Sequence, residues 1–176
     1  MITKNILLYG APSSGKSSLG ALVFGLLKLK NYNTELIREY AKELVWAGCD
    51  MKNATSEEEL DIFVNQTKRE RLVRGKVEYM VSDSPLLLNA FYSHNEYAKQ
   101  VALNSLSQND YHFWLTKDIS RHEDAGRSHD QDEAKEVDLQ MRKFLTEECG
   151  LTLIEVTCPV EDRAEWIINY ILSNKK

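Results

Sequence analysis

The stretch Gly10-Ala11-Pro12-Ser13-Ser14-Gly15-Lys16-Ser17 decides how this chain is read. It fits Gly-x-x-x-x-Gly-Lys-[Ser/Thr], the phosphate-cradling Walker A pattern. The apolar run Ile6-Leu7-Leu8-Tyr9 stands directly before it, as a buried parallel strand should. From Ser18 to Leu29 apolar residues recur at helical spacing. Strand, loop and helix therefore follow one another in the order the pattern requires.

The residue types match the chemistry. Gly10 and Gly15 let the backbone curl round an anion where a Cβ would intrude, and successive N–H groups then face inward. A helix starting near Lys16 adds the positive end of its dipole. Lys16 is suited to the β- and γ-phosphates of a nucleotide, and the Ser17 hydroxyl to Mg²⁺. The nucleotide-binding set read here is Gly10, Ala11, Pro12, Ser13, Ser14, Gly15, Lys16, Ser17 and Ser18.

Beyond the loop, Thr34 to Ile37 reads as a second strand ending at Arg38-Glu39-Tyr40, and a helix with Ala41, Leu44 and Val45 stops at Gly48. Ligands of a doubly wound sheet bind outside the carboxyl ends of its strands. Arg38 and Glu39 thus become candidate substrate contacts, and Glu39 a candidate base. Ser56-Glu57-Glu58-Glu59 is expected to open a helix that turns Leu60, Phe63, Val64 and Leu72 inward and closes at Gly75. The run from Val77 to Val81 leads through Ser82 into Asp83, a Walker B arrangement in which Asp83 holds Mg²⁺ directly or through water.

Helices are expected over Leu86–Tyr92 and Glu96–Ser107, with Phe91 and Tyr92 assigned to the core ahead of a substrate contact. Tyr111 to Leu115 reads as strand four. The polar stretch from Asp118 to Asp130 carries Arg121 and Arg127 and suits a lid that brings charge to a transferring phosphoryl group. A helix from Asp132 to Glu148, a strand from Leu151 to Val156 and a closing helix from Glu161 to Leu172 complete the chain. Five strands alternating with helices make an α/β protein, a parallel sheet with helices on both faces.

Composition narrows the classes. At 176 residues, 43% apolar and 28% charged, the chain is expected to be one domain, residues 1–176, with the lid at about 118–130. A net charge of −5 argues against a broad nucleic-acid surface, which needs clustered Lys and Arg. Cys49, Cys149 and Cys158 lack the spacing of a zinc site, and no signal peptide or membrane span is visible, so the expected location is the cytoplasm. No Asn-Lys-x-Asp guanine signature occurs, and the length does not accommodate the second helical domain of an AAA+ motor.

Four features together resemble one family: the Gly10–Ser17 loop, Arg38-Glu39-Tyr40-Ala41-Lys42-Glu43, the strand ending at Asp83, and Asp124-Ala125-Gly126-Arg127. The chain is similar to the small P-loop kinases, most closely the nicotinamide-riboside-kinase-like domain of the bacterial NAD-metabolism regulator and related stand-alone ATPase/kinase proteins. The resemblance implies a P-loop NTPase fold of the nucleotide-kinase type with sheet order 2-3-1-4-5. It also implies ATP, Mg²⁺ and transfer of a γ-phosphoryl group to a small acceptor. By position, Glu39 or Asp83 would orient or deprotonate the acceptor, and Lys16, Arg121 and Arg127 would steady the phosphates. A nucleoside-, nucleotide- or nicotinamide-riboside-like acceptor is expected first. A nucleic acid phosphorylated at a strand end or hydroxymethylated base comes next, then a regulatory ATPase. Nothing in the sequence specifies an oligomeric state.

Overall fold

The computed structural model describes residues 1–116 and 131–174. Strand β1 (Lys4–Tyr9) is buried at every residue but Lys4 and pairs in parallel on both sides. Its neighbours are β3 (Tyr79–Ser82), with Ile6 opposite Val81, and β4 (Tyr111–Leu115), with Ile6 opposite Tyr111. Strand β2 (Thr34–Ile37) adds to β3, and β5 (Ile154–Val156) to β4. The order is β2-β3-β1-β4-β5, all parallel, as the family resemblance implies.

Both faces of this sheet are apolar, because a parallel sheet needs helices on each side to carry its crossovers. Alternate β1 residues Ile6 and Leu8 meet Leu19, Val23 and Leu27 of α1 (Lys16–Leu29) and Ile167, Ile168 and Ile171 of α7 (Arg163–Ser173). The opposite set, Leu7 and Tyr9, meets the other helical layer. That layer takes Phe63 from α3 (Ser56–Val73) and Leu86 and Leu87 from α4 (Leu86–Ser93). It also takes Ala102 from α5 (Glu96–Asn104) and Met141 from α6 (Gln131–Lys143). A short helix, α2 (Ala41–Trp46), follows β2 and has no buried residue.

Two expectations need correction. The capping box of α3 is formed by Thr55 and Glu58, one residue ahead of the expected Ser56, and its inward face is Ile62, Phe63, Gln66 and Glu70. Leu60, Val64 and Leu72 are 49%, 38% and 65% exposed. Periodicity failed because two of the inward side chains are polar and bury through specific partners: Gln66 accepts from Tyr40 N–H at 3.0 Å, and Glu70 pairs with Arg74 at 3.1 Å. The helix expected through Glu148 is α-helical only to Lys143. It widens into a π turn at Phe144–Glu148, closed by Cys149 N–H to the Phe144 carbonyl at 2.9 Å.

The α3 pair has a consequence for stability. Glu70 is 3% exposed, and burial, with Asp110 nearby, pushes its carboxyl up to about 7 against the opposing pull of Arg74. Its ordinary value is 4.5, so between that pH and about 7 the folded chain holds a proton the unfolded chain has released. Stability from this group is present below that window and is lost as pH rises through it. Wild type should therefore lose on the order of 2–3 kcal/mol through Glu70 between pH 5 and pH 8. Glu70→Gln should match wild type at pH 5 and exceed it at pH 8 in urea midpoints; parallel pH dependences would refute the assignment.

Candidate active site

Sheet order reverses between β1 and β4, which opens a crevice at the carboxyl ends of the strands. The Gly10–Ser17 loop lies there. Gly10 has φ 142°, and a Cβ on it would sit 2.8 Å from the Leu115 carbonyl oxygen and 2.9 Å from Ser14 Oγ. Only glycine lets β1 leave the sheet so close to the end of β4. Ser13 (φ 72°) and Gly15 (φ 88°) are left-handed and turn the chain into α1. Gly15 is the N-cap, no side chain caps the helix, and no acidic residue lies in its first turn. In α3, by contrast, Glu57, Glu58 and Glu59 occupy that turn. The positive end of α1 is thus left for an external anion.

Lys16 folds over the loop, donating to the Gly10 carbonyl at 2.7 Å and the Ala11 carbonyl at 3.0 Å. Burial lowers its pKa, and the carboxylates of Glu39, Asp83 and Asp138 oppose that shift. Glu39 follows β2, Asp83 follows β3, and Asp138 comes from α6. The structure therefore brings three expected site residues, Lys16, Glu39 and Asp83, into one electrostatic cluster. Burial raises the Glu39 pKa, Asp83 raises it further, and Lys16 and Lys42 pull it down. Asp83 is 5% exposed and its Oδ1 has no hydrogen-bond partner, as is also true of Ser14 Oγ. Ser17 and Ser18 face solvent.

Helix α3 positions the Glu39 segment. The buried Gln66 takes the Tyr40 N–H, and Arg69 reaches the Arg38 carbonyl at 3.3 Å while gripping Glu43 with both Nη atoms, at 3.0 and 2.6 Å. That bidentate fork holds the start of α2 against α3. Arg38 itself is exposed, with its guanidinium 6.0 Å from the ring of Trp46, and Lys42 lies 5.5 Å from the same ring. On the other side, Arg163, 4% exposed, donates to the Thr116 carbonyl at 2.8 Å and the Cys158 carbonyl at 3.3 Å, tying the ends of β4 and β5 together.

Sequence reasoning weighed Tyr92 for the core ahead of a substrate contact and passed over Asp138. Tyr92 is 46% exposed, and its hydroxyl is pushed up to about 12 by burial and by Glu39 and Asp138. Phe91, its neighbour, does pack inward against Phe144, with ring centroids 5.6 Å apart. Asp138 accepts the Ala11 N–H at 3.1 Å. Spacing along α6 marks Val137 and Met141 as apolar and says nothing about the aspartate between them. Arg121, Arg127 and the rest of the expected lid lie outside the described residues. Among the described residues no group of three His, Cys, Asp or Glu side chains forms a preassembled metal site, and no helix is long and apolar enough to cross a membrane.

A five-stranded parallel sheet of this order, with the Gly10–Ser17 loop at its crevice and helices on both faces, has a P-loop, nucleotide-kinase-like fold. Residues 5–163 match the family described as an AAA domain (AAA_28), and the chain belongs to that family. No curated protein sequence matches it. The solved structure of NadR protein in complex with NR superposes with a TM-score of 0.73 over 98% of this chain and 51% of that one, at 14% identity. The chain thus spans about half the length of that protein. Deoxyadenosine kinase from M. mycoides, with the products dCMP and a flexible dCDP bound, gives a TM-score of 0.66 over 96% of this chain and 99% of that one, at 17% identity. At these identities the likeness is one of fold.

Proposed function

We propose that this chain is an ATP- and Mg²⁺-dependent kinase that transfers the γ-phosphoryl group to a hydroxyl or phosphate of a small nucleoside-, nucleotide- or nicotinamide-riboside-like acceptor. The observation that carries the reading is the convergence of Lys16, Glu39 and Asp83 at the mouth of an uncapped phosphate loop. The loop backbone from Gly10 to Ser18 cradles the nucleotide phosphates, and Lys16 supplies the positive charge. The raised pKa of Glu39 makes it a better base than an exposed carboxylate. It takes the acceptor proton as the acceptor oxygen bonds to phosphorus, while the bond from phosphorus to the bridging oxygen breaks and ADP leaves with that electron pair. Arg38 is assigned to the acceptor side, and Arg121 and Arg127 to the charge on the phosphoryl oxygens.

The residues fit Mg²⁺. Asp83 presents a buried carboxylate oxygen without a donor and Ser17 an accessible hydroxyl, and Mg²⁺ commonly needs only one or two protein ligands beside substrate phosphates. When bound, the ion neutralises charge on the phosphates. The names of the structural neighbours, NadR with NR and deoxyadenosine kinase, support a nucleoside-like acceptor. One feature favours a nucleic-acid acceptor instead: Trp46 is 66% exposed with Arg38 and Lys42 against its ring, a pairing of stacking surface and cations found where single strands bind.

ADP release with Mg·ATP, measured against nucleosides, nucleotides, nicotinamide riboside, single-stranded DNA and a hydroxymethyluracil duplex, tests the reading. Stimulation by one small acceptor is the expected result. Stimulation by DNA alone would replace it with the second reading, and slow acceptor-independent hydrolysis throughout would indicate a regulatory ATPase.

A further inference from the structure

The peptide unit between Gly10 and Ala11 is gripped from both ends. Its N–H donates to Asp138 Oδ1 at 3.1 Å, and its carbonyl oxygen accepts from Lys16 Nζ at 2.7 Å. A peptide is planar, so fixing the direction of the N–H fixes that of the carbonyl. The need for such a grip follows from Gly10. With φ 142° and no Cβ, it has no side chain that could hold the peptide plane in place. The one side chain shown taking this N–H comes from 127 positions further along, on α6. A carboxylate on the N–H also polarises the unit, which makes its carbonyl a stronger acceptor for the lysine ammonium.

We propose that Asp138 is a positioning residue for Lys16, acting through the Gly10–Ala11 peptide and tying helix α6 to the phosphate-binding loop. The proposal rests on the kinase reading above, because the aligned lysine is the group that meets the transferring phosphoryl. Asp138 touches the loop backbone and works on chemistry through it. A shift of α6 away from the loop releases the peptide, and the lysine then samples orientations unsuited to the phosphates. Turnover is thereby linked to the seating of α6 without any change in the loop's own sequence.

Charge and hydrogen bonding separate in two variants. Asp138→Asn keeps an oxygen that can accept the Ala11 N–H; Asp138→Ala removes it. In Asp138→Ala, kcat for ADP release should fall about 10- to 100-fold, the span for losing a hydrogen bond to a charged group, with a smaller change in KM for ATP. Asp138→Asn should stay within about fivefold of wild type. In ¹H–¹⁵N spectra of the ligand-free protein the Ala11 amide should move upfield in Asp138→Ala and stay near its wild-type position in Asp138→Asn. Wild-type kcat in the alanine variant, equal impairment of both variants, or an unmoved Ala11 resonance would each overturn the proposal. Wild-type protein inert toward every acceptor would count against the kinase reading, while the ligand-free Ala11 resonance would still decide the Asp138 link.

Discussion

Lys16→Ala is expected to lower phosphoryl transfer by at least about 10²–10³-fold, the scale for removing one preorganised charge-stabilising group. Its circular dichroism should remain helical, since the side chain bonds only loop carbonyls and contributes nothing to either core layer. The electrostatics add a second signature. Lys16 pulls the Glu39 pKa down and lies in the field of Asp83 and Asp138, so its removal leaves these carboxylates without that cation. Glu39 then holds its proton to higher pH. Residual activity in Lys16→Ala should accordingly show its acid limb displaced upward relative to wild type. Full turnover in this variant would remove the phosphate-loop assignment altogether.

Glu39→Gln should lower kcat by about 10²–10⁴-fold, the range for losing a general base, with ATP binding little changed. The substitution is nearly isosteric, and the backbone on either side stays held by Gln66 and Arg69. The pH profile provides the sharper test. A base acts when deprotonated, and burial together with Asp83 raises the Glu39 pKa, so wild-type kcat should rise with pH through a limb above the ordinary glutamate value of 4.5. That limb should be absent in Glu39→Gln. Turnover near wild type with the limb intact would pass the base assignment to Asp83.

The parts of this site that were legible share a physical origin. The Gly10–Ser17 loop, Glu39 and Asp83 each follow directly from a strand, and parallel strands bring such positions to one edge whatever the helices do. Residues contributed by helix faces were not legible. Gln66 and Arg69 on α3 and Asp138 on α6 occupy positions where periodicity distinguishes only apolar from polar. Leu60, Val64 and Leu72 show the converse error, apolar side chains left at the surface while Gln66 and Glu70 take the inward face and bond Tyr40 and Arg74.

What the sequence determined by itself was the alternation of strands and helices and the phosphate loop with its lysine, because these depend on contacts between residues close in the chain. The strand-end carboxylates were legible for a related reason, since chain direction alone carries them to the crevice. Tertiary structure alone decided which side chains surround Lys16 and how firmly the loop is held. Asp138 meets Ala11 and Gln66 meets Tyr40 because two helices pack on one face of the sheet. Packing of that kind depends on shape and burial over the whole domain, and no local spacing encodes it.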